Sequence, residues 1–397
     1  MKKENFHMKI TGVKTALLQA NFEWLLVKIE TDEGIVGIGE AHWGFGVQEA
    51  IHRLESHLIN EDPLNINYLW EKMYRIVAGA AWQGSIICAI SGVEIALWDI
   101  LGKHSGLPVW QLLGGKQRDD IRILADLHAG ASYKIGDGTK VNDINEEEMY
   151  SPEAYAAHAK DAVSRGYDAI KFDIDIPTLK ERDPMNHVLY PAQVDRIVEI
   201  ISAVREAVGR TIDVAVDCHW HYNTSDAIRV AKALEPFDLL WVEDPVRPEN
   251  VNAMKKVTDA TSTPVCTGEN LYMRHGFRDL LEKQAADIIE PDFPRSGGIS
   301  EMKRIAELAE SYYVPFAPHN VGGPIATVAA AHLCAVVPNF LVLEFHADDV
   351  SWFSSLVKSN APVIEQGYIT LSNKPGLGLE LDEEVAKEHL KAGETLF

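Results

Sequence analysis

Residues 211–223 read TIDVAVDCHWHYN, a short apolar run that ends in Asp217 and continues with His219 and His221 at alternate positions. Short apolar runs bounded by polar or turn residues are typical of buried strands. Seven more runs of this kind lie between residues 121 and 360, where they alternate with helical patterns. In chain order the eight runs read IRILADL, YDAIKFD, TIDVAVD, DLLWVED, TPVCTGE, ADIIEPD, VPFAPH and FLVLEF.

Apolar strands that alternate with helices pair in parallel, and the helices cover both faces of the sheet. Eight such units in a segment of this length are typical of a closed barrel. We therefore predict an α/β fold built on a (β/α)8-type barrel. A doubly wound open sheet is the rival architecture at this point.

The segment before the barrel mixes strand and helix patterns. LLVKIETDEGIVGIGEA contains two strand-like stretches around DEG at 32–34, which predicts a hairpin turn, and GSIICAISGVEIALWDILGKHSG follows as a helical stretch. We predict an α+β capping domain over residues 1–120, a barrel over 121–360 and a C-terminal segment over 361–397. The last segment is too short to fold alone and is expected to return to the capping domain.

Charge and composition exclude several classes of partner. The chain has 397 residues and a formal charge of −22, from 59 acidic and 37 basic side chains. Nucleic-acid and anionic-membrane binding depend on clustered Lys and Arg, so neither partner is expected. We find no apolar run of the length of a membrane span, and the start MKKENFHMKI lacks the apolar segment of a signal peptide. We expect a cytoplasmic protein.

The four cysteines, Cys88, Cys218, Cys266 and Cys334, are far apart in the sequence and form no CxxC pair. Neither a disulfide framework nor a thiolate zinc site is therefore indicated. Each is expected to be a small buried side chain.

Ionisable residues end six successive barrel runs, at intervals of 23 to 27 residues. Because each interval is about one βα unit, the six side chains should ring the same mouth of the barrel, where barrel enzymes place their active sites. They are Asp217, Glu243, Glu269, Asp292, His319 and Glu344.

The first three of these residues are carboxylates on neighbouring strands. Converging carboxylates repel one another in a low-dielectric site unless a cation lies between them. Oxygen ligands from few protein groups suit Mg²⁺, whereas zinc favours imidazole or thiolate. Asp217, Glu243 and Glu269 are therefore predicted to bind Mg²⁺. For any one of them alone, capping the next helix or pairing with an arginine is the competing interpretation.

His319 and Asp292 end neighbouring runs and could touch across the barrel rim. A carboxylate on an imidazole sets its tautomer and raises its basicity, which suits a general base. A single strand-end histidine is more often a hydrogen-bonded core group, and the pairing with Asp292 is what favours the base.

The motifs VDCHWHYN, WVEDP, TGEN, DIIEPD, APHN and LEF together resemble the mandelate racemase subgroup of the enolase superfamily. Within it, the chain looks most like sugar-acid dehydratases of the galactonate and gluconate type. The resemblance covers essentially the whole chain, including GGI after the sixth run and GGP after the seventh.

This resemblance implies residue roles and a reaction. It implies that Mg²⁺ is held by Asp217, Glu243 and Glu269, that Asp292 and His319 form the basic dyad, that His219 is the general acid, and that Glu344 hydrogen-bonds the substrate carboxylate. His221 has no implied role and is interpreted as a loop residue or a substrate contact.

One position departs from the family pattern. Racemases of the subgroup carry Lys-x-Lys at the end of the second strand, and here Lys171 is followed by Asp173 in KFD. With one of two opposed bases missing, racemisation is hard to support, whereas dehydration needs only one base and one acid. Lys171 is expected to assist charge stabilisation from the side, together with a protonated Glu344.

We therefore predict a Mg²⁺-dependent hydro-lyase that converts an aldonic acid, such as galactonate or gluconate, to a 2-keto-3-deoxy acid. The mechanism would be abstraction of the C2 proton and an Mg²⁺-stabilised enediolate. The alternatives are a racemase or epimerase that uses Lys171 against His319, a less favoured cycloisomerase, and a catalytically silent barrel that only binds a ligand. A homo-oligomer is expected from the family, and the subunit number is open.

Several segments are candidates for covering the substrate. The stretches 128–150 and 174–190 follow strand ends and do not fit the barrel repeat. QANFEW at 19–24, EAHWGFG at 40–46 and Trp82 are further lid candidates, with exposed loop aromatics or core packing as the competing interpretation.

Overall fold

The computed structural model describes residues 8–20, 22–77, 79, 82–130, 146–176, 182–183, 185–347, 350–359 and 362–397. An antiparallel sheet opens the chain, with strands β1 (Ile10–Gln19), β2 (Glu23–Thr31) and β3 (Val36–Ala41) in the order β1-β2-β3. The predicted hairpin at 32–34 is confirmed, because it joins β2 to β3. Gly34 supplies the positive φ of this turn, at 76°.

Helices α1 (Val47–Leu58), α2 (Ile66–Val77), α3 (Ser85–Ser105) and α4 (Val109–Leu112) complete the capping domain. Strand β3 lets α3 approach closely because it carries glycine at two positions that face the helix. A Cβ on Gly39 would lie 2.2 Å from the backbone oxygen of Gly92. By length and composition, helix α3 is apolar enough to cross a membrane. This finding differs from the prediction that no apolar run reaches that length. In the structure, 78% of the apolar stretch of α3 is buried, as in the core helix of a globular domain.

The barrel strands run parallel in the order β10-β4-β5-β6-β7-β8-β9. They are β4 (Asp120–Asp126), β5 (Ala169–Asp173), β6 (Asp213–Asp217), β7 (Val242–Glu243), β8 (Val265–Thr267), β9 (Ile288–Ile289) and β10 (Leu343–His346). The predicted seventh strand, VPFAPH, is reduced to a bridge in which Phe316 pairs with Ile289 on one side and Phe340 on the other. This bridge closes the ring, which confirms the barrel and excludes the open sheet.

One interior layer shows the closure directly. Each of the eight barrel segments contributes one side chain to a single buried cluster of Leu124, Ala169, Ala215, Trp241, Cys266, Ile288, Ala317 and Val342. The cluster combines the indole of Trp241 with smaller side chains, so the interior is packed as in other barrels of this class. All four cysteines are buried and free, as predicted.

Helices follow the strands around the outside of the barrel. They are α5 (Glu146–Met149), α6 (Pro152–Ser164), α7 (Pro191–Val208), α8 (Thr224–Leu234), α9 (Val251–Thr258), α10 (Met273–Glu282), α11 (Ile299–Glu310) and α12 (Pro324–Cys334). Asn223 and Asn250 cap α8 and α9 with their side chains.

The C-terminal segment contains β11 (Val357–Lys358), β12 (Tyr368–Thr370), β13 (Glu380–Leu381) and α13 (Glu383–Glu388). It returns to the capping sheet, where the N–H of Lys391 donates to the carbonyl of Leu17 over 2.9 Å. Its β12 also pairs antiparallel with β4 of the barrel, a contact that we had not predicted. The tail therefore joins both domains.

The capping domain is also tied to the barrel by Glu40, a residue that we considered only as part of a lid. Its buried carboxylate accepts hydrogen bonds from the N–H groups of Gly323 and Ala326, the second over 3.1 Å. These groups lie at the start of α12, where backbone donors have no partner within the helix. Glu40 thus caps a barrel helix from another domain.

We expect Glu40→Ala to lower the free energy of unfolding by about 1–3 kcal/mol for each buried donor that it leaves unsatisfied. Urea denaturation followed by circular dichroism measures the change. Glu30→Ala is the matched control, because Glu30 makes a partly exposed ion pair with Lys14 that is expected to contribute at most about 1 kcal/mol. Equal effects of the two changes would contradict the capping role.

Candidate active site

Three carboxylates converge at the mouth of the barrel, and we call Asp217, Glu243 and Glu269 the carboxylate triad. Asp217 ends β6 beside Glu243, which ends β7, because the two residues pair in register. Glu269 lies two residues beyond the end of β8. One oxygen of each lies within 4.8 Å of the others, and all three residues are buried. Burial and the neighbouring charge of Asp217 raise the pKa of Glu243 well above its ordinary value. Such a set fits a divalent cation, because the cation offsets the repulsion.

Lys171, on β5, lies between the triad and Glu344. Its Nζ is 2.6 Å from Oε1 of Glu243, 2.8 Å from Oε1 of Glu344 and 3.4 Å from Oδ2 of Asp217. Burial disfavours the charged amine, but the surrounding carboxylates outweigh burial and raise the pKa of Lys171 well above its usual range. The lysine is therefore held as a positive charge between these carboxylates.

His319 and Asp292 touch across the rim. Nδ1 of His319 lies 2.7 Å from Oδ2 of Asp292, whose Oδ1 accepts a hydrogen bond from the backbone N–H of Arg295 over 2.7 Å. Nδ1 donates to this carboxylate. The other ring nitrogen, Nε2, faces the triad and lies 2.9 Å from Oε2 of Glu269. The pKa of His319 is raised well above its ordinary value. Burial alone would lower it, but the charges of Glu269 and Glu344 and the hydrogen bond to Asp292 outweigh burial. A cation bound to Glu269 therefore favours the neutral imidazole that a base requires.

His219 stands on the open side of the triad. Its Nδ1 is 3.3 Å from Oδ1 of Asp175, its Nε2 is 3.4 Å from Oδ2 of Asp217, and about a third of its side chain is exposed. His219 and Trp220 both have positive φ, at 42° and 58°. Non-glycine residues in this region are strained, and such strain is concentrated at functional sites. His221 instead packs its ring against His187, with the ring centroids 5.0 Å apart.

His42 and Arg295, which were not predicted from the sequence, lie beside Asp292 of the dyad. His42, beyond the end of β3, places Nε2 2.9 Å from the guanidinium of Arg295 and 3.7 Å from Oδ2 of Asp292. Burial lowers the pKa of His42 to about 4, so the imidazole is neutral and accepts from the arginine. Arg295 lies three residues after Asp292 in PDFPRSGG, and this short spacing could have indicated its place beside the dyad. His42 lies some 250 positions away, and no local pattern marks it.

Aromatic side chains from the capping domain lie over the end of β10. Phe22 stacks on Trp43, with centroids 5.7 Å apart, and meets the ring of His346 edge-on at 5.1 Å. Both predicted lid segments of this domain therefore contribute to one cluster. Trp82 is exposed. Most of the 128–150 stretch and part of the 174–190 stretch fall outside the described residues.

Trp241 orients one member of the triad, because its indole N–H donates to Oε2 of Glu243 over 2.7 Å. Groups that hold a metal ligand in place commonly affect metal affinity about 10–100-fold. We expect Trp241→Phe to weaken divalent-metal binding by that factor while leaving all three carboxylates present, as isothermal calorimetry would measure. Trp220→Phe is the matched control, since that indole donates to Asp244 instead. Unchanged affinity in Trp241→Phe would contradict the orienting role.

Comparison with known proteins identifies the family. Residues 2–114 match the family described as "Mandelate racemase / muconate lactonizing enzyme, N-terminal domain", and residues 154–385 match "Enolase C-terminal domain-like". The chain belongs to the enolase superfamily. The predicted resemblance to its mandelate racemase subgroup and the predicted fold class are both confirmed.

Relatives with curated names include sugar-acid dehydratases. The chain is 44% identical to a D-xylonate dehydratase from Haloferax volcanii, an alignment that covers 98% of this chain and 90% of that protein. It is 34% identical to a D-galactonate dehydratase from Pectobacterium atrosepticum, over 97% and 95% of the two chains. Among solved structures, a mandelate racemase/muconate lactonizing enzyme-like protein from Rubrobacter xylanophilus matches with a TM-score of 0.92 and 44% identity, over 98% and 99% of the two chains.

Proposed function

We propose that this enzyme is a Mg²⁺-dependent hydro-lyase that removes water from an aldonic acid to give a 2-keto-3-deoxy acid. The observation that carries the proposal is the Asp292-backed imidazole of His319, whose Nε2 faces the triad. His219 stands beside Asp217, the ligand at the other end of the triad. One base and one acid around a cation site are the groups that dehydration needs.

The names of the relatives support the substrate class. The D-xylonate and D-galactonate dehydratases act on aldonic acids of five and six carbons, so an acid of this kind is the small-molecule substrate that we propose. D-Xylonate is the first candidate, because the relative of that name shares 44% identity over nearly the whole chain.

The choice of Mg²⁺ rests on the donor set of the triad. Three carboxylates without imidazole or thiolate are the ligands of a hard cation, and Mg²⁺ keeps open positions for substrate oxygens. When bound, the cation supplies Lewis-acid stabilisation of negative charge on the substrate carboxylate.

The protein groups would then divide the proton transfers. Nε2 of His319 takes the proton from C2, and the electron pair of that bond enters the carboxylate to form an enediolate. Lys171 stabilises the added charge, and Glu344 hydrogen-bonds the substrate carboxylate. As the C3–O bond breaks, His219 gives a proton to the departing hydroxyl, which leaves as water. The resulting enol takes a proton at C3 and releases the proton of its C2 hydroxyl, which gives the 2-keto acid.

The contacts of Lys171 argue against the racemase alternative. A racemase needs a second base opposite His319, and Lys171 is held as a cation by Glu243 and Glu344. Asp173, which replaces the second lysine of the racemase pattern, is paired with Nδ1 of His128 over 3.0 Å. Neither residue offers a free base.

The test is incubation with Mg²⁺ and a panel of four- to six-carbon aldonic and aldaric acids. Semicarbazide absorbance detects 2-keto-3-deoxy products, and NMR in D2O follows deuterium at C2. We expect a keto acid from D-xylonate or a close stereochemical relative. Deuterium uptake with inversion and no keto acid would identify an epimerase, and no reaction with any acid would favour a binding barrel. A cytoplasmic location, a homo-oligomeric assembly and the absence of nucleic-acid or membrane partners stay predictions.

A further inference from the structure

Another cluster of metal-ligating side chains lies at the barrel mouth, on the strands that close the barrel. Asp126 ends β4, His346 ends β10 and pairs with Asp126 in register, and His128 follows two residues after Asp126. One donor atom of each lies within 4.8 Å of the others, and all three residues are buried. We call Asp126, His128 and His346 the seam cluster. It shares no residue with the carboxylate triad.

The imidazoles of the seam cluster are oriented as metal ligands. Nε2 of His128 faces Nε2 of His346 and lies 3.4 Å from Oδ2 of Asp126. Nδ1 of His128 is 3.0 Å from Oδ2 of Asp173. A metal-ligating histidine commonly donates one ring N–H to a carboxylate, which sets the tautomer and aims the second ring nitrogen at the cation. His128 has this arrangement.

The carboxylate of the cluster supplies an independent observation. Asp126 is almost fully buried, at 3% exposure, and no hydrogen bond reaches its Oδ1 from the described part of the chain. A buried carboxylate oxygen without a partner is costly, because it has lost its water without replacement. A cation held by Asp126 and the two facing nitrogens would provide this carboxylate with the missing partner.

We infer that Asp126, His128 and His346 bind a second divalent cation, of the borderline class that accepts imidazole and carboxylate ligands together, such as Zn²⁺. Two imidazoles separate this donor set from the all-carboxylate triad, so the two sites should prefer different metals. Three protein ligands leave a fourth, open position of a tetrahedral ion. The cation would also tie the last barrel strand to the first. The inference does not depend on the proposed dehydratase activity.

Co²⁺ is the probe, because it replaces Zn²⁺ and its visible absorption reports coordination by histidine. The purified full-length enzyme is stripped with a chelator, saturated with Mg²⁺ to fill the triad, and titrated with Co²⁺. We expect one equivalent of Co²⁺ per chain to bind in the presence of excess Mg²⁺, with a visible band and a rise in melting temperature. Absence of Co²⁺ binding in excess Mg²⁺ would overturn the inference.

Variants identify the residues that bind Co²⁺. His346→Gln is expected to abolish the visible absorption band of bound Co²⁺. Asp173→Asn keeps all three ligands and is expected to weaken Co²⁺ binding about 10–100-fold. Glu243→Gln is expected to keep the band, because it alters only the triad. His158→Gln is the matched control, since this nearby histidine bonds to the carbonyl of Ala129.

The opposite pattern, a band lost in Glu243→Gln and kept in His346→Gln, would place Co²⁺ in the triad and overturn the second site. Circular dichroism checks that each variant is folded. If His346→Gln does not fold, the wild-type stoichiometry in excess Mg²⁺ and the affinity of Asp173→Asn decide the question by themselves.

Discussion

Replacing His319 with Asn is expected to lower the turnover number for dehydration by about 10²–10⁴-fold, the usual contribution of a general base. Asparagine can still bond to Asp292, but it has no group that can take a proton from C2. Deuterium exchange at C2 in D2O should therefore disappear together with keto-acid formation. Steady-state kinetics and proton NMR on the same samples measure both quantities.

His219→Asn separates the acid from the base. If His219 only protonates the leaving hydroxyl, this variant should lose keto-acid formation and keep C2 exchange, because His319 still removes the proton. His275→Asn, an exposed histidine on α10, is the control for the loss of an imidazole and should behave like the wild type. Exchange that survives in His319→Asn would show that another residue is the base.

Removal of the divalent metal is expected to abolish activity, and added Mg²⁺ should restore it. Without a cation, one oxygen of each buried triad carboxylate lies within 4.8 Å of the others, and Lys171 places one positive charge beside Asp217 and Glu243. Mg²⁺ at about 100 times its Kd should stabilise the fold by about 2.7 kcal/mol if it binds only the folded state. The melting temperature before and after chelation, measured with and without Mg²⁺, reports this gain.

Asp217→Asn should lose most of the stabilisation by Mg²⁺, because the change removes one of three charged ligands. Glu199→Gln is the matched control, since Glu199 forms an exposed ion pair with Arg196 on α7, away from the mouth. Full activity in the chelated wild type, or a Mg²⁺ response in Asp217→Asn equal to that of Glu199→Gln, would contradict the metal site at the triad.

The ring of ionisable side chains at the barrel mouth was predictable from the sequence, because these residues follow one another at regular intervals along the chain. Each βα unit returns the chain to the same end of the barrel, so residues that end successive apolar runs must meet there. Asp217, Glu243 and Glu269 were found in this way, and so was the pair of His319 with Asp292. The register of β6 with β7 then places the first two carboxylates side by side.

Two features of the fold were visible in the sequence only in part. The run VPFAPH was recognised as a barrel segment, but it forms a bridge at Phe316 and not a regular strand, because Pro315 and Pro318 lack the N–H that a regular ladder requires. The long apolar helix α3 carries no marker of its environment. Its burial follows from the close approach that Gly39 allows.

By itself, the sequence determined the barrel, the capping domain, the triad and the dyad, since these depend on periodicity and on strand direction. Only the tertiary structure decided which side chains become neighbours across the closure of the barrel and across the domain contact. His42 reaches Asp292 from the capping domain, and Asp126 meets His346 where the last strand joins the first. Such contacts join residues that are hundreds of positions apart. Their formation depends on how the packed domains and strands dock, which no local pattern of residues encodes.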